Sequence, residues 1–390
     1  METDFYFEPI NLEGYEFAEK PLHKRMGDVV RSYHSKGEFP DLEDVDIALI
    51  GVQEDRNAIS NRGSADAADQ IRKHFYKLFQ GEDVRLADLG NIRAGNNIND
   101  TYYALTEAMA ELLKHDIFPV VLGGSQDLSY SMYKAYEKIG QIINIVAVDP
   151  LFDLGEKDEE LSSQSYLSKI ILHQPNYLFN YTNLGYQTYY VDQEAIELMN
   201  NLFFDCYRLG QVRSDLSEAE PLLRNADMLT FDFSAIRASD APANKNACPN
   251  GFYGEEACQI LRYAGMSDKL TALGLFEMNP QEDRNGQTAS LASQMLWYFI
   301  EGFYNRLNDI PYKYKNDFLK YTVTIQDHKE QIVFFKSKKS DRWWMEVPVK
   351  ASIRTKYERH HFIPCSYKDY QTALKDEIPD RWWQAYQKLM

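Results

Sequence analysis

Up to about residue 303, short apolar runs alternate with longer segments whose apolar residues recur at helical spacing. DIALIGV (46–52), DVRLADLG (83–90), FPVVLGG (118–124) and IINIVAV (142–148) are compact apolar runs bounded by polar or glycine positions. Each predicts a strand, buried on both faces where the run is continuous. Between them stand ADQIRKHFYKLF, YYALTEAMAELLKHD (102–116) and SYSMYKAYEKIG, which predict helices; the last ends at Gly140, suited to a C-cap. NYTNLGYQ, MLTFDFS (228–234) and LTALGLFEMNP (270–280) continue the series, each followed by loop and helix signals. This alternation predicts an α/β fold with a doubly wound, mainly parallel sheet. Sites in such sheets form at the carboxyl ends of the strands. The polar endings LGGSQD, VDPLFD, TFDFS and FEMNP are therefore expected on one edge.

The pattern changes after about residue 303. KYTVTIQ (320–326), QIVFFKS and WWMEVPV predict short antiparallel strands, and SYKDYQTALKDEIPDRWWQAYQKL a closing helical segment interrupted at Pro379. Residues 1–302 are thus read as one α/β domain with an N-terminal arm of about 1–44, and 303–390 as a C-terminal α+β extension. Four of the five tryptophans lie in the extension, in a DRWW tetrapeptide that occurs at 341–344 and again at 380–383. Trp343, Trp344, Trp382 and Trp383 are expected to bury against the main domain or a second subunit, because a small meander alone covers too little surface.

Composition narrows the function classes. With 390 residues, 44% hydrophobic and 14% aromatic, the chain can build a sizeable core. A formal net charge of −17 argues against nucleic acid or an anionic membrane as the main partner. Cys206, Cys248, Cys258 and Cys365 form no C-x-x-C pair, so neither a zinc ribbon nor a disulfide framework is indicated. METDFYFEPINLEGYEF lacks the apolar core of a signal peptide, and no stretch approaches the roughly 18 apolar residues of a membrane span. A cytoplasmic setting is the expectation.

With its strand ends assembled, the chain resembles the ureohydrolase family of arginase, agmatinase and formimidoylglutamase, over roughly residues 45 to 302. ALIGVQED followed by NRGSADAADQIRK looks like the family's opening strand and loop. FPVVLGGSQDLSY looks like its Gly-Gly-x-His segment and VAVDPLFDLG like its Asp-Ala-His-x-Asp segment. LTFDFSAIRASDAP looks like Ser-x-Asp-x-Asp, NGFYGEE like Gly-Gly-Leu-x-x-x-Glu, and GLFEMNPQEDRNGQTASLASQML like Glu-x-Asn-Pro…Asp…Thr-Ala. The resemblance implies an arginase-like three-layer αβα fold, with formimidoylglutamase as the nearest branch. It also implies two manganese ions whose bridging hydroxide attacks a guanidino or formimino carbon, and a homo-oligomer.

The departures fall on the metal ligands. By the family pattern these are two histidines and four aspartates. Here the first histidine position holds Gln126, the middle one Leu151, and the last aspartate position Ser234, while Asp149, Asp153 and Asp232 are kept. None of the eight histidines falls on a ligand position, and SSQSYLSK offers none for the arginases' general acid. By the same pattern Gln126, Asp149, Asp153 and Asp232 are an all-oxygen set for at most one hard cation (none, or one of Mn, Mg or Ca), and the second manganese is expected to be absent.

Other readings stay open at this stage. The three aspartates also suit strand-end caps. Close together without a cation they would raise one another's pKa, so an ion, a proton or a base must compensate. Arg237 is one candidate base, a solvated arginine the alternative. Glu256 stands where the resemblance implies a guanidinium-binding carboxylate, and equally where a helix start favours an acid. The expectation is a pseudoenzyme that binds, scaffolds or regulates, with a protein partner engaged through the extension. Its rivals are an active hydrolase of linear amidine C–N bonds using one metal or a modified site, and a sensor that holds a guanidino or formimino compound without turnover.

Overall fold

The computed structural model describes residues 1–10, 24–34, 37–81, 83–156, 159–325, 330–352 and 354–389. Part of the N-terminal arm, Gln326 of the first extension strand, and His23 and His328 lie outside the described residues. The main sheet contains β1 (Phe7–Glu8), β2 (Arg31–Ser32), β3 (Ile47–Gln53), β4 (Leu86–Arg93), β5 (Phe118–Leu122), β6 (Ile143–Val148), β7 (Leu178–Tyr186), β8 (Asp205–Arg208), β9 (Met228–Asp232) and β10 (Ala272–Phe276). Its order is β1-β4-β3-β5-β10-β9-β6-β7-β8, with β2 also on β4, and every pairing except β1 with β4 is parallel.

Helices cover both faces, and the alternation along single strands shows why. Ile47 and Leu49 of β3 enter one core with Ile71, Phe75, Leu296 and Phe299, whereas Ala48, Ile50 and Val52 enter another with Leu105, Met109, Tyr133 and Tyr136. Side chains of a strand point alternately to opposite faces, so a strand apolar at every position needs a layer on each side. Burying one such side chain contributes roughly 1.5–3 kcal/mol. The helices over Ala67–Phe75, Ile98–Lys114 and Leu128–Ile139 occupy the expected segments, and Gly140 takes the left-handed C-cap conformation at φ 71°. The strand expected at 83–90 lies three residues later, at β4, where the loop ahead of it stays irregular.

β5 and β6 are consecutive in the chain but separated in the sheet by β10 and β9. The strand order therefore reverses here, and the loops after β5 and β6 diverge to open a crevice. The endings of β5, β6, β9 and β10 carry the four polar stretches marked in the sequence.

The extension forms β11 (Phe318–Ile325), β12 (Glu330–Ser337), β13 (Trp343–Glu346) and β14 (Phe362–Cys365), a fully antiparallel sheet in that order. β14, whose FIPC carries a proline, has no strand signal in the sequence. Helices Tyr367–Ala373 and Asp380–Leu389 follow, parted around Pro379. The tryptophan expectation needs correction. Trp343 and Trp382 bury in the extension's own core with Ile325, Ile332, Phe334 and Met345. Trp344 packs with Phe318 and Phe362 of the extension and meets the main domain through the Arg224 guanidinium, 4.2 Å from its ring. Trp383 is 47% exposed, because the last helix turns that position outward.

Docking is polar at its centre. Arg224 donates to the carbonyls of Trp343 (3.1 Å) and Cys365 (3.2 Å). Arg359 pairs at 2.5 Å with Asp227, which is fully buried and also lies 3.6 Å from Lys269. Asp227 immediately precedes β9, and Ile142, whose carbonyl meets the His360 ring at 3.2 Å, precedes β6. The extension thus covers the amino ends of the central strands, the side opposite the crevice.

Candidate functional site

Each strand end delivers its side chain by a specific local device. After β5 the chain turns through Gly123 and Gly124, both at φ 79°. A Cβ on Gly124 would stand 2.4 Å from Leu128 and 2.7 Å from the Glu54 carbonyl, so only glycine lets Gln126 and Asp127 drop into the interior. Asp127 accepts hydrogen bonds from the hydroxyls of Tyr102 and Ser125, and burial lifts its pKa to about 6. After β6, Asp149 is 1% exposed and its Oδ1 accepts the Leu151 N–H at 2.7 Å. After β9, Asp232 Oδ1 accepts the Ser234 N–H at 2.6 Å. Asp153 (φ 51°) and Glu277 (φ 68°) are non-glycine residues in left-handed backbone. Such strain persists only where surrounding contacts hold it and is concentrated at functional sites.

The structure brings Asp149, Asp153 and Asp232 together, and the electrostatics follow. Burial, then the charges of Asp153 and Asp232, hold the Asp149 carboxyl well above the usual range. Burial and Asp232 push Asp153 up to about 8, and burial lifts Asp232 to about 6. No arginine, lysine or histidine among the described residues forms an ion pair with any of the three.

Arg237 does not supply that charge. Its Nε pairs with Asp240 at 2.8 Å, and its guanidinium stacks 3.9 Å over Tyr253. Glu256 is likewise engaged elsewhere: one oxygen caps the helix start through the Tyr253 N–H at 2.8 Å, and both accept from Arg213. Between its two sequence readings, the structure gives Glu256 the helix-start role. Leu151 lines the crevice, and Ser234 is buried behind Asp232.

Glu277 is the site carboxylate to which the sequence pointed least. It follows β10, is buried, and accepts the Gln126 N–H at 2.9 Å and Asn61 Nδ2 at 2.7 Å. Burial, then the Asp232 charge, raises its pKa well above the carboxylate range. Its signals were the polar ending FEMNP and the likeness to Glu-x-Asn-Pro, neither of which gave it a role, and its partner Asn61 lies 216 residues away.

Asp149 Oδ2 and Gln126 Oε1 are among the buried polar atoms of the described residues that have no hydrogen-bond partner. An open cavity of about 640 Å³ is lined by Leu151, Asp153, Leu154, Glu156, Glu159, Tyr190, Val191 and Asp192, among others.

A model of the arginase family matches residues 45–301. The chain belongs to that family. Curated relatives include the formimidoylglutamase of Macrococcus caseolyticus, 24% identical over 288 residues that cover 71% of this chain and 91% of that protein. The formimidoylglutamase of Streptococcus gordonii is 25% identical, covering 67% and 85%. Among solved structures, Bacillus subtilis formimidoylglutamase superposes with a TM-score of 0.66 at 19% identity, over 76% of this chain and 97% of that one. Trypanosoma cruzi formiminoglutamase, solved with Mn2+, gives 0.63 at 18%, over 68% and 96%. These superpositions establish the shared fold.

Whether this arginase-family chain suits manganese is a question of donors. Among the described residues, no three His, Cys, Asp or Glu side chains form a ready metal-ion group. The three aspartates are near enough to perturb one another but are not gathered on one point. The unpartnered Asp149 Oδ2 and Gln126 Oε1, with Asp153 and Asp232, are hard oxygen donors suited to one cation. At the other metal position Leu151 has no side-chain donor atom and Ser234 offers only a neutral hydroxyl. The donor types kept at the first position are those of a hard cation, and the second position lacks an anionic or nitrogen donor.

Proposed function

We propose that this arginase-family chain binds a small guanidino- or formimino-type ligand without hydrolysing it, takes up at most one divalent cation, and acts as a binding, scaffold or regulatory protein. One observation carries the reading. At the two positions that would complete a second metal, the chain places Leu151 and Ser234, whose backbone amides occupy Asp149 Oδ1 and Asp232 Oδ1. Asp149 and Asp232 thus each have one oxygen committed to the protein. Hydrolysis at a two-metal centre depends on a hydroxide held between the ions. The Asp–Leu and Asp–Ser turns leave no ligand set for the second ion. With a partner engaged through the extension, or a second copy of the chain, the exposed Trp383 and Leu374 offer apolar contact area.

Elemental analysis of the full chain, purified with manganese present, tests this together with assays for urea and formamide release from arginine, agmatine and formimidoylglutamate. At most one ion per chain and background release are expected. Two manganese ions per chain with sustained release would overturn the reading.

A hydrolase working with one cation is the second reading. It is favoured by Asp149 Oδ2 and Gln126 Oε1, which are buried without a hydrogen-bond partner, and by the open cavity that Asp153 lines. Turnover with one bound ion, lost in Asp153→Asn, would select it.

A further inference from the structure

The two edges of the extension sheet differ. β14 carries Pro364, and its Cys365 carbonyl is taken by Arg224 of the main domain. β11 has neither device. Its eight residues, FLKYTVTI, pair with β12 in unbroken register from Phe318↔Ser337 to Ile325↔Glu330, without a bulge or a proline. Natural sheets blunt an open edge with such interruptions or with charges, and this strand carries one charge, Lys320. Lys320 leans back over β12, its Nζ 5.9 Å from the centre of the Phe335 ring. Leu319 is 45% exposed, and Lys320, Thr322 and Thr324 are exposed as well. Hydrogen bonds at the open end of the β11–β12 hairpin fix which backbone groups face outward. The Lys338 N–H donates to the Asp317 carbonyl at 2.9 Å, and the Ser337 N–H donates away from β11, to the Arg342 carbonyl at 2.9 Å. Backbone groups of successive residues in an antiparallel strand point to opposite edges. Leu319, Tyr321, Val323 and Ile325 therefore bond β12, while Phe318, Lys320, Thr322 and Thr324 turn their N–H and C=O groups outward. Among the described residues, none bonds those outward groups.

We infer that β11 pairs antiparallel with β11 of a second copy of this chain, about a two-fold axis through Thr322, and joins two extension sheets into one. A two-fold contact requires a self-complementary patch, and this strand supplies one. The axis sets Thr322 opposite Thr322 and Lys320 opposite Thr324 of the second copy. The outward groups of these residues then exchange hydrogen bonds in full, the mode by which a free edge accepts a further strand. Tyr321, Val323 and Ile325 face the core under the extension's helices, where Tyr321 meets the Tyr370 ring at 5.8 Å. On that face Tyr321 lies opposite Val323 and Leu319 opposite Ile325, an aromatic–β-branched and an aliphatic pair of the kind that stabilises sheets. The two Lys320 side chains stay four residues apart along the joint, roughly 14 Å. A register centred on Tyr321 instead brings the lysines to diagonal positions roughly 7–8 Å apart, so charge selects the Thr322 axis. Residues 318–325 lie outside the 45–301 that match the arginase family, so this surface belongs to what the chain adds to that fold.

Light scattering on the full chain over a dilution series tests it. A single strand pair covers less than the roughly 1,200–2,000 Å² of a standard interface, so the assembly should dissociate on dilution. At concentrations where the parent is paired, Thr322→Pro and Thr322→Lys should each halve the assembly mass. Proline removes an N–H that faces outward and so takes no bond from β12, and lysine sets like charges opposite one another on the axis. Both variants should match the parent's melting temperature at high dilution, which separates lost pairing from lost folding. Thr322→Cys treated with a short bis-maleimide should link two chains above the parent's background, and Lys320→Cys should not. A parent that is monomeric at every concentration would overturn the second copy as occupant and leave the edge to a strand of another protein. An assembly mass that neither variant changes would overturn the inference, and so would linking through Lys320→Cys as complete as through Thr322→Cys.

Discussion

Glu277 accepts the backbone N–H of Gln126 at 2.9 Å, joining the end of β10 to the loop after β5 at the floor of the crevice. Its other oxygen accepts Asn61 Nδ2 at 2.7 Å, so one carboxylate ties three segments together. Glu277→Ala should destabilise the chain by about 1–3 kcal/mol, the cost of leaving buried donors unpaired. Glu277→Gln retains an acceptor for Gln126 and should lose less. Urea unfolding monitored by tryptophan fluorescence checks both; equal losses would deny the carboxylate its tying role.

The metal position makes a second expectation. The triple variant Gln126→His, Leu151→His, Ser234→Asp restores the nitrogen and carboxylate donors that the family pattern places there. It should bind a second manganese ion by elemental analysis. Turnover should stay low, because groups around the ligands that orient them are absent as well. Robust release of urea or formamide by the triple variant would mean the site had lost only its ligands.

Asp227 and Arg359 hold the extension to the amino ends of the central strands. Arg359→Met should cost about 1–3 kcal/mol, less than the full loss of a buried pair because Lys269 stays 3.6 Å from the carboxylate. A chain ending near residue 303 uncovers Asp227, Lys269 and Arg224 and should aggregate or change size on a calibrated column. An unchanged melting temperature and size would make the extension an independent module.

His360 gives this docking a pH dependence. It is buried against Phe179, its ring centroid 4.4 Å away, with Tyr357, Lys269, Arg359 and Asp227 around it. Burial, then the Lys269 charge, pushes its pKa from 6.5 down to about 3. The folded state therefore favours the neutral ring. That contribution is complete above pH 6.5 and is lost progressively as pH falls towards 3. His360→Gln should flatten the fall in melting temperature over this window relative to the parent chain. An identical slope would assign the acid sensitivity to other groups.

Strand–helix alternation, the polar edge and the three retained aspartates were legible in the sequence. Hydrophobic periodicity reports burial directly, and the β5, β6 and β9 endings are local motifs of a few residues. What the fold decided depended on contacts between distant segments. Asn61 and Gln126 reach Glu277 only because β10 lies beside β5, a pairing no local pattern encodes. Glu256 and Arg237 occupy family positions in the sequence, but Arg213, Asp240 and the Tyr253 ring claim them. β14 pairs through its neighbours rather than its own propensity, and Trp383 faces outward by its rotation about the last helix. Each depends on which partner a side chain or backbone edge meets once the chain has closed, and that is a property of tertiary packing.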